Sequence, residues 1–287
     1  MLRHKSNHVI AAAAKAIQRA EDGNLAPDLI AAYLELFPNA PKRDQGCKAL
    51  IAIAEALATM GEDAADVYLK GVDYVQMEGS FGPPIDVAAP LRGLCVRGLV
   101  RMRHPRAMLL AVDRLMDREV SARIGAVQAL QDANSREAEL LLRLKVLTAD
   151  KEDEVTGACF AALLSCAPSA SLEFVRRFLG REVRDGLVEV AALALGEGHI
   201  GAALPYLIEA WTTHRDPNVR RVILLSIALL RQPDAVEFLL TRLNQDGAGS
   251  IPAVVDALAL FRADEGIAAR MNEVLERRSL AHLLFKK

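Results

Sequence analysis

The chain has 287 residues, 52% of them hydrophobic and 25% charged, with aromatics at only 5%. That length exceeds one ordinary core, and an Ala- and Leu-rich, aromatic-poor composition favours helix over sheet. A net charge of −2 argues against a protein devoted to coating nucleic acid, which is usually strongly basic.

Arg3 and Lys5 precede an apolar run, residues 9–14, but Lys15, Gln18 and Arg19 interrupt what could have been a signal-peptide core. The longest apolar stretch, residues 222–230, is broken by Ser226 and falls short of the ~20 residues of a bilayer span. A cytoplasmic protein with no membrane segment is expected. Apolar spacings of three and four predict helices over 7–20, 27–37, 44–60 and 63–75. Residues 76–86 then form the one conspicuous insertion, where Gly79, Gly82, Pro83 and Pro84 forbid a helix. Loops at the edge of a repeat array often carry binding residues, which makes Glu78, Ser80 and Phe81 candidates.

From residue 87 onward one phrase recurs: a polar turn, Val or Ile, a small-residue apolar helix, a break, and a second amphipathic helix. It opens at Val87, Val120, Val155, Val183, Val219 and Ile251, a period of about 33 residues that signals a solenoid. Gly98, Gly125, Gly157 and Ala191 let neighbouring backbones approach. Leu109, Leu110, Val112 and Leu115, and later Val236, Phe238, Leu239 and Leu243, supply the bulkier faces of the partner helices. Asp86, Asp153 and Asp216 are placed to cap helix starts. The expected organisation is irregular hairpins over 1–75, a loop over 76–86, regular repeats over 87–278 and a cap over 279–287, the last built on Leu280, Leu283, Leu284 and Phe285.

Asp216-Pro217-Asn218-Val219-Arg220-Arg221, followed by the apolar run 222–230, closely resembles the HEAT-repeat signature. The short, alanine-rich units look most like the bacterial HEAT-like repeats also found in phycobilin lyases. The resemblance covers residues 84–277 well and 6–75 more loosely. Arg184 and Arg220 keep the arginine after Val, while Ser121, Thr156 and Pro252 replace it. The resemblance implies an all-α protein, a right-handed α-α superhelix of about eight hairpins whose second helices line the concave face.

Between Asp86 and Asp113 there is no carboxylate but five arginines, Arg92, Arg97, Arg101, Arg103 and Arg106, with His104 beside them. On a helical wheel Arg92 and Arg103 flank one side of the apolar centre and Arg97 and Arg101 the other. Arginine suits carboxylate and phosphate partners because its planar fork binds two oxygens at once. Residues 132–154 hold seven carboxylates against four basic side chains, a polarity able to steer a charged partner. No aromatic residues interleave these arginines, as base stacking would require.

Cys47, Cys95, Cys159 and Cys166 lack metal-type spacing and read as buried thiols. His4 and His8 have the spacing of a helical metal pair but no third ligand nearby, so no metal is expected. No nucleophile elbow, phosphate-binding glycine loop or His-Glu-x-x-His run is present. The expectation is a monomeric, non-enzymatic scaffold without a cofactor. Its expected partner is a protein or peptide with an acidic surface, bound through Arg92, Arg97, Arg101, Arg103, Arg106, Glu78, Ser80 and Phe81. Two alternatives stand beside it. Trp211, Asp216 and the pair Arg220 and Arg221 evoke the alkyl-DNA glycosylases built on this repeat, with nucleic acid disfavoured by charge. The phycobilin-lyase resemblance alone implies a chaperone of a tetrapyrrole.

Overall fold

A computed structural model of the chain describes residues 1–79, 82–247, 249–280 and 282. The described residues are almost wholly helical and fall into two compact units, Met1–Leu147 and Thr148–Lys287. In the first unit α1 (Asn7–Ala20), α4 (Lys48–Met60), α6 (Ala89–Arg101) and α8 (Val120–Ala133) pack side by side as a row. Short α3 (Ala40–Arg43) leads into α4. Against the row lie α2 (Ala26–Leu36), α5 (Ala65–Gly71), α7 (Ala107–Leu115) and α9 (Arg136–Leu147). The second unit repeats the scheme. Its row is α10 (Asp153–Cys166), α12 (Asp185–Glu197), α14 (Pro217–Leu229) and α16 (Ile251–Leu258). Its flanking helices are α11 (Pro168–Val175), α13 (Leu204–Thr213), α15 (Pro233–Gln245) and α17 (Glu265–Arg277). All-α architecture is therefore as expected, and each recurring Val or Ile sits within two residues of the start of a row helix.

The rows are held close by small residues. A Cβ on Gly93 of α6 would stand 2.9 Å from the Gly125 Cα of α8, and one on Gly125 would collide with the Gly93 backbone. Gly157 of α10 meets Val190 of α12 in the same way, and Gly196 of α12 meets the Ser226 backbone of α14. Such contacts let the larger apolar side chains of the row reach the flanking helices. Leu91, Leu99, Leu130 and Leu142 are fully buried in the first unit, and Leu163, Leu195, Ile223 and Leu239 in the second.

Helix boundaries differ from expectation where polar contacts outcompete helix. The helix expected over 44–60 begins only at Lys48, because Gly46 (φ 73°) and Cys47 (φ 54°) take left-handed conformations. The Asp44 carboxylate, wholly buried, caps this delayed start by accepting from Ala49 N–H and Leu50 N–H, both at 2.9 Å. The helix expected over 63–75 ends at Gly71. Beyond it Tyr74 turns away to stack its ring 4.7 Å from that of Phe37. Of the three predicted caps, Asp216 accepts from Asn218 N–H and Val219 N–H, Asp86 accepts from Ala88 N–H just before α6 while also holding Arg92, and Asp153 holds Arg184. Ser80 and Phe81 of the insertion, and Leu283, Leu284 and Phe285 of the expected cap, lie outside the described residues.

The Gly93–Gly125 contact makes a clear prediction. Gly125→Ala gains about 1 kcal/mol of helix propensity but overpacks a backbone-to-backbone contact, which typically costs 1–3 kcal/mol. Because the obstacle is backbone and cannot rotate away, the upper end applies, a net loss of up to about 2 kcal/mol in urea unfolding. A stabilised variant would contradict the close approach.

Candidate functional site

The five arginines expected to face a partner are sorted by depth. Arg92 enters the interior, its side chain 3% exposed. Its Nε and one Nη donate to the two oxygens of Asp117, each at 2.8 Å, in a fork-to-fork pair. The other Nη donates to Asp86 Oδ2 at 2.5 Å and to the Tyr74 carbonyl at 2.9 Å. Both aspartates are 6% exposed. Burial alone would lower the Arg92 pKa, yet the hydrogen bonds to Asp117 and Asp86 hold it above its ordinary value. Burial would likewise raise Asp117, but Arg92 and the Glu119 N–H hold it below the usual carboxylate range. Arg114 completes the cluster, 3.3 Å from Asp117 and 3.2 Å from Asp73. Arg92 is thus a structural ion-pair centre and not an exposed binding group.

Glu78 is also turned inward. Both of its oxygens accept from Gly46 N–H, at 2.9 and 3.0 Å, and Oε1 accepts from Gln76 Nε2 at 2.6 Å. The same Gln76 amide reaches the Asp44 carbonyl at 2.8 Å, and Asn7 Nδ2 donates to Asp44 Oδ1 at 3.1 Å. One polar spine therefore runs from α1 through the insertion to Arg92 and Asp117. The insertion closes as two short antiparallel strands, β1 (Met77–Glu78) and β2 (Ile85–Asp86). Its expected role as a loop presenting Glu78 gives way to that of a clamp, because Glu78 satisfies the otherwise orphaned N–H of Gly46.

Arg97 and Arg101, half exposed, converge on one carboxylate, Asp132 of α8, at 2.6 and 2.7 Å. Burial would raise Asp132, and these two arginines hold it below its usual range. Only Arg103 and Arg106, exposed in the turn between α6 and α7, engage no carboxylate among the described residues. The basic zone counted in sequence is mostly neutralised from within.

Beside that turn lies a surface that sequence reading missed. On α7 and the residue that ends it, Leu109, Val112 and Met116 are 70%, 38% and 73% exposed; on α9, Leu140, Leu144 and Leu147 are 53%, 57% and 63% exposed. Leu109 and Val112 are thus not core-packing residues as expected, whereas their neighbours Leu110 and Leu115 are buried. Each helix carries one buried apolar face and a second that meets water. Both helices pack against α8, and exposed apolar stripes of this kind are candidate interaction surfaces.

In the second unit, the residues that evoked a nucleic-acid enzyme have structural partners. Trp211 is 5% exposed, edge-on to Phe238 at 5.6 Å and covered by the Arg220 guanidinium at 4.3 Å. Asp216 caps α14, and Arg221 pairs with Asp256. Among the described residues no helix is long and apolar enough to cross a membrane.

The sequence matches no protein-family model and no curated protein. Among solved structures, the chain is similar to the complex of CpcE and CpcF of phycocyanin lyase from Nostoc sp. PCC7120. The identity is 17%, covering 80% of this chain and 88% of that one, with a TM-score of 0.39. The protein in that structure is a lyase, and the expectation of a chain without enzymatic activity, which rested on missing motifs, is withdrawn against this finding.

Removing Arg92 tests the spine. Arg92→Ala leaves Asp86 buried without its cation and Asp117 with Arg114 alone, and breaking such a buried pair costs roughly 3–5 kcal/mol. Arg92→Lys restores charge but not the fork, so only partial recovery is expected in denaturant unfolding. Asp117, depressed below its ordinary value of 3.8, contributes stability that is complete above that pH and is lost as pH falls through its lower folded value. Asp117→Asn should flatten that acid limb while lowering stability at pH 7. An unchanged acid profile would remove Asp117 from this role.

Proposed function

We propose that this chain is a HEAT-like helical-repeat protein that captures an amphipathic helix of a protein partner on the outward faces of α7 and α9. The observation that carries this reading is the pair of exposed apolar stripes, Leu109, Val112 and Met116 on one helix and Leu140, Leu144 and Leu147 on the next. Their spacings of three, four and seven place each set on a single side of its helix. Apolar stripes at this spacing suit the docking of a further helix, whose apolar face is read at i, i+3, i+4 and i+7. Arg103 and Arg106 stand at the α6–α7 turn, next to the start of α7, with no carboxylate partner among the described residues. Their charge favours a partner whose helix is acidic on its flanks, which agrees with the acidic partner expected from sequence.

Energetics support this choice of surface over the arginine helix. Burying a leucine side chain is worth about 1.5–3 kcal/mol, whereas exposed ion pairs typically give 0–1 kcal/mol. Arg97 and Arg101 would also have to abandon Asp132 before serving a partner. The apolar stripes gain from docking without losing anything already made.

A second reading, a tetrapyrrole-handling protein, follows from the repeat resemblance and has an independent discriminator. Mixing with a bilin should shift the absorption spectrum, and a flat difference spectrum removes it.

Selection from a displayed library of random helical peptides tests the main reading. Recovered peptides are expected to carry apolar residues at helical spacing with acidic flanks. Leu109→Glu combined with Leu144→Glu should weaken their binding by about 100-fold or more, with stability changed by less than about 0.5 kcal/mol. Peptides without that pattern, or equal binding to the variant, would sink the assignment. So would sedimentation showing a dimer that the same two substitutions dissociate, which would assign the stripes to a second copy of the chain.

A further inference from the structure

The second unit contains a basic concavity that none of the preceding readings uses. After α11 the chain makes a tight helical turn, Arg176–Leu179, and continues through Gly180 and Arg181. Together with α13 and the residues that follow it, this segment encloses an open cleft of about 570 Å³. Four arginines line it. Arg176 is already engaged, 2.8 Å from Glu173 and stacked 4.7 Å above the Tyr206 ring. Arg177, Arg181 and Arg215 hold no carboxylate among the described residues, and one acidic side chain, Glu209, shares the lining. Three uncompensated guanidinium groups against one carboxylate leave the cleft short of two negative charges.

Four other arginines of the unit are matched one to one with carboxylates. Arg184 holds Asp153, Arg221 holds Asp256, Arg242 holds Asp246 and Arg270 holds Glu237. Gathering like charges around one concavity disfavours the empty state and rewards an anion that enters it. The walls are also fixed relative to each other. His214, 6% exposed, donates from Nε2 to the Leu179 carbonyl at 2.9 Å, tying the end of α13 to the turn that bears Arg177. Arg215 follows directly on one wall, and Arg181 lies two residues beyond Leu179 on the other. Fixing the backbone of both walls in advance reduces the ordering that binding requires.

We propose that this cleft binds a ligand carrying a phosphoryl dianion, with Arg177, Arg181 and Arg215 as its charged contacts. Guanidinium forks match tetrahedral phosphoryl oxygens in pairs, and the two-charge deficit matches one such group. The volume exceeds that of phosphate alone, leaving space for the organic part of a phosphorylated small molecule beside Tyr206.

Calorimetric titration of the full chain with pyrophosphate and with inorganic phosphate, at constant ionic strength near 0.15 M, tests the site. Saturable binding of pyrophosphate with a dissociation constant below about 1 mM is expected. Arg181→Ala and Arg215→Ala should each weaken it by about tenfold or more, while Arg184→Ala, outside the cleft, should leave it unchanged. Unfolding curves matching the parent would show that the exposed substitutions spare the fold. No saturable binding, or binding that survives the double substitution, overturns the proposal. Citrate binding as tightly as pyrophosphate would also overturn it, by assigning the cleft to polycarboxylates.

Discussion

The first unit depends on one buried guanidinium. Arg92 reaches Asp117 with a bidentate fork and Asp86 with its remaining nitrogen, while Arg114 supports Asp117 from the other side. Two positive and two negative groups therefore share one enclosed site. Buried ion pairs are weak evidence for stability relative to apolar packing of the same volume, but removing any single member is severe. What this one specifies is location. Asp86 ends the insertion, Tyr74 precedes it, and Asp117 begins the next repeat, so a single side chain fixes where the chain leaves its helical path and where it returns. Gly46, Gln76 and Glu78 extend the same logic into the turn before α4.

This explains how the sequence was readable in its helices and misleading in its charges. Helix α1 falls on the expected residues, and α8 and α16 open on Val120 and Ile251, because apolar spacing records directly which face is buried. The partners of the arginines obey a different distance. Arg97 and Arg101 bond a carboxylate 35 and 31 residues ahead, Arg270 one 33 behind, and His214 a carbonyl 35 behind. Each is one repeat away, since stacking places residue i beside residue i plus about one period. Counting charge within one helix therefore reported an excess that the neighbouring repeat cancels. Asp132, read as part of an opposite acidic pole, is the counter-ion of the helix it seemed to oppose. Testing each charge against positions about 33 residues away would have exposed the pairing from sequence alone.

The same reasoning separates side chains that are finished from those that are not. On α7, Leu110 and Leu115 are buried while Leu109, Val112 and Met116 remain outside; on α15, Val236, Leu239 and Leu243 are all buried. An amphipathic helix needs one apolar stripe to join a repeat, and α15 stops there. Periodicity alone could not find the surplus on α7 and α9, because both stripes satisfy helical spacing and only the packed neighbours decide which is covered.

Charge behaves likewise in the second unit. Arg184, Arg221 and Arg270 meet carboxylates from adjacent repeats, whereas Arg177, Arg181 and Arg215 come from a turn, a loop and a helix end that the fold draws around one cleft. In a repeat array the row helices are committed to their neighbours through Gly–Gly, Gly–Val and Gly–Ser contacts, leaving little surface there to specialise. Departures from neutrality and apolar surplus accumulate instead on the flanking helices and their connections, where a substitution alters recognition without loosening the stack. The buried Arg92 cluster belongs to the committed part and the two exposed surfaces to the other. A residue's degree of compensation by the next repeat is thus a better guide to its function here than its chemical type.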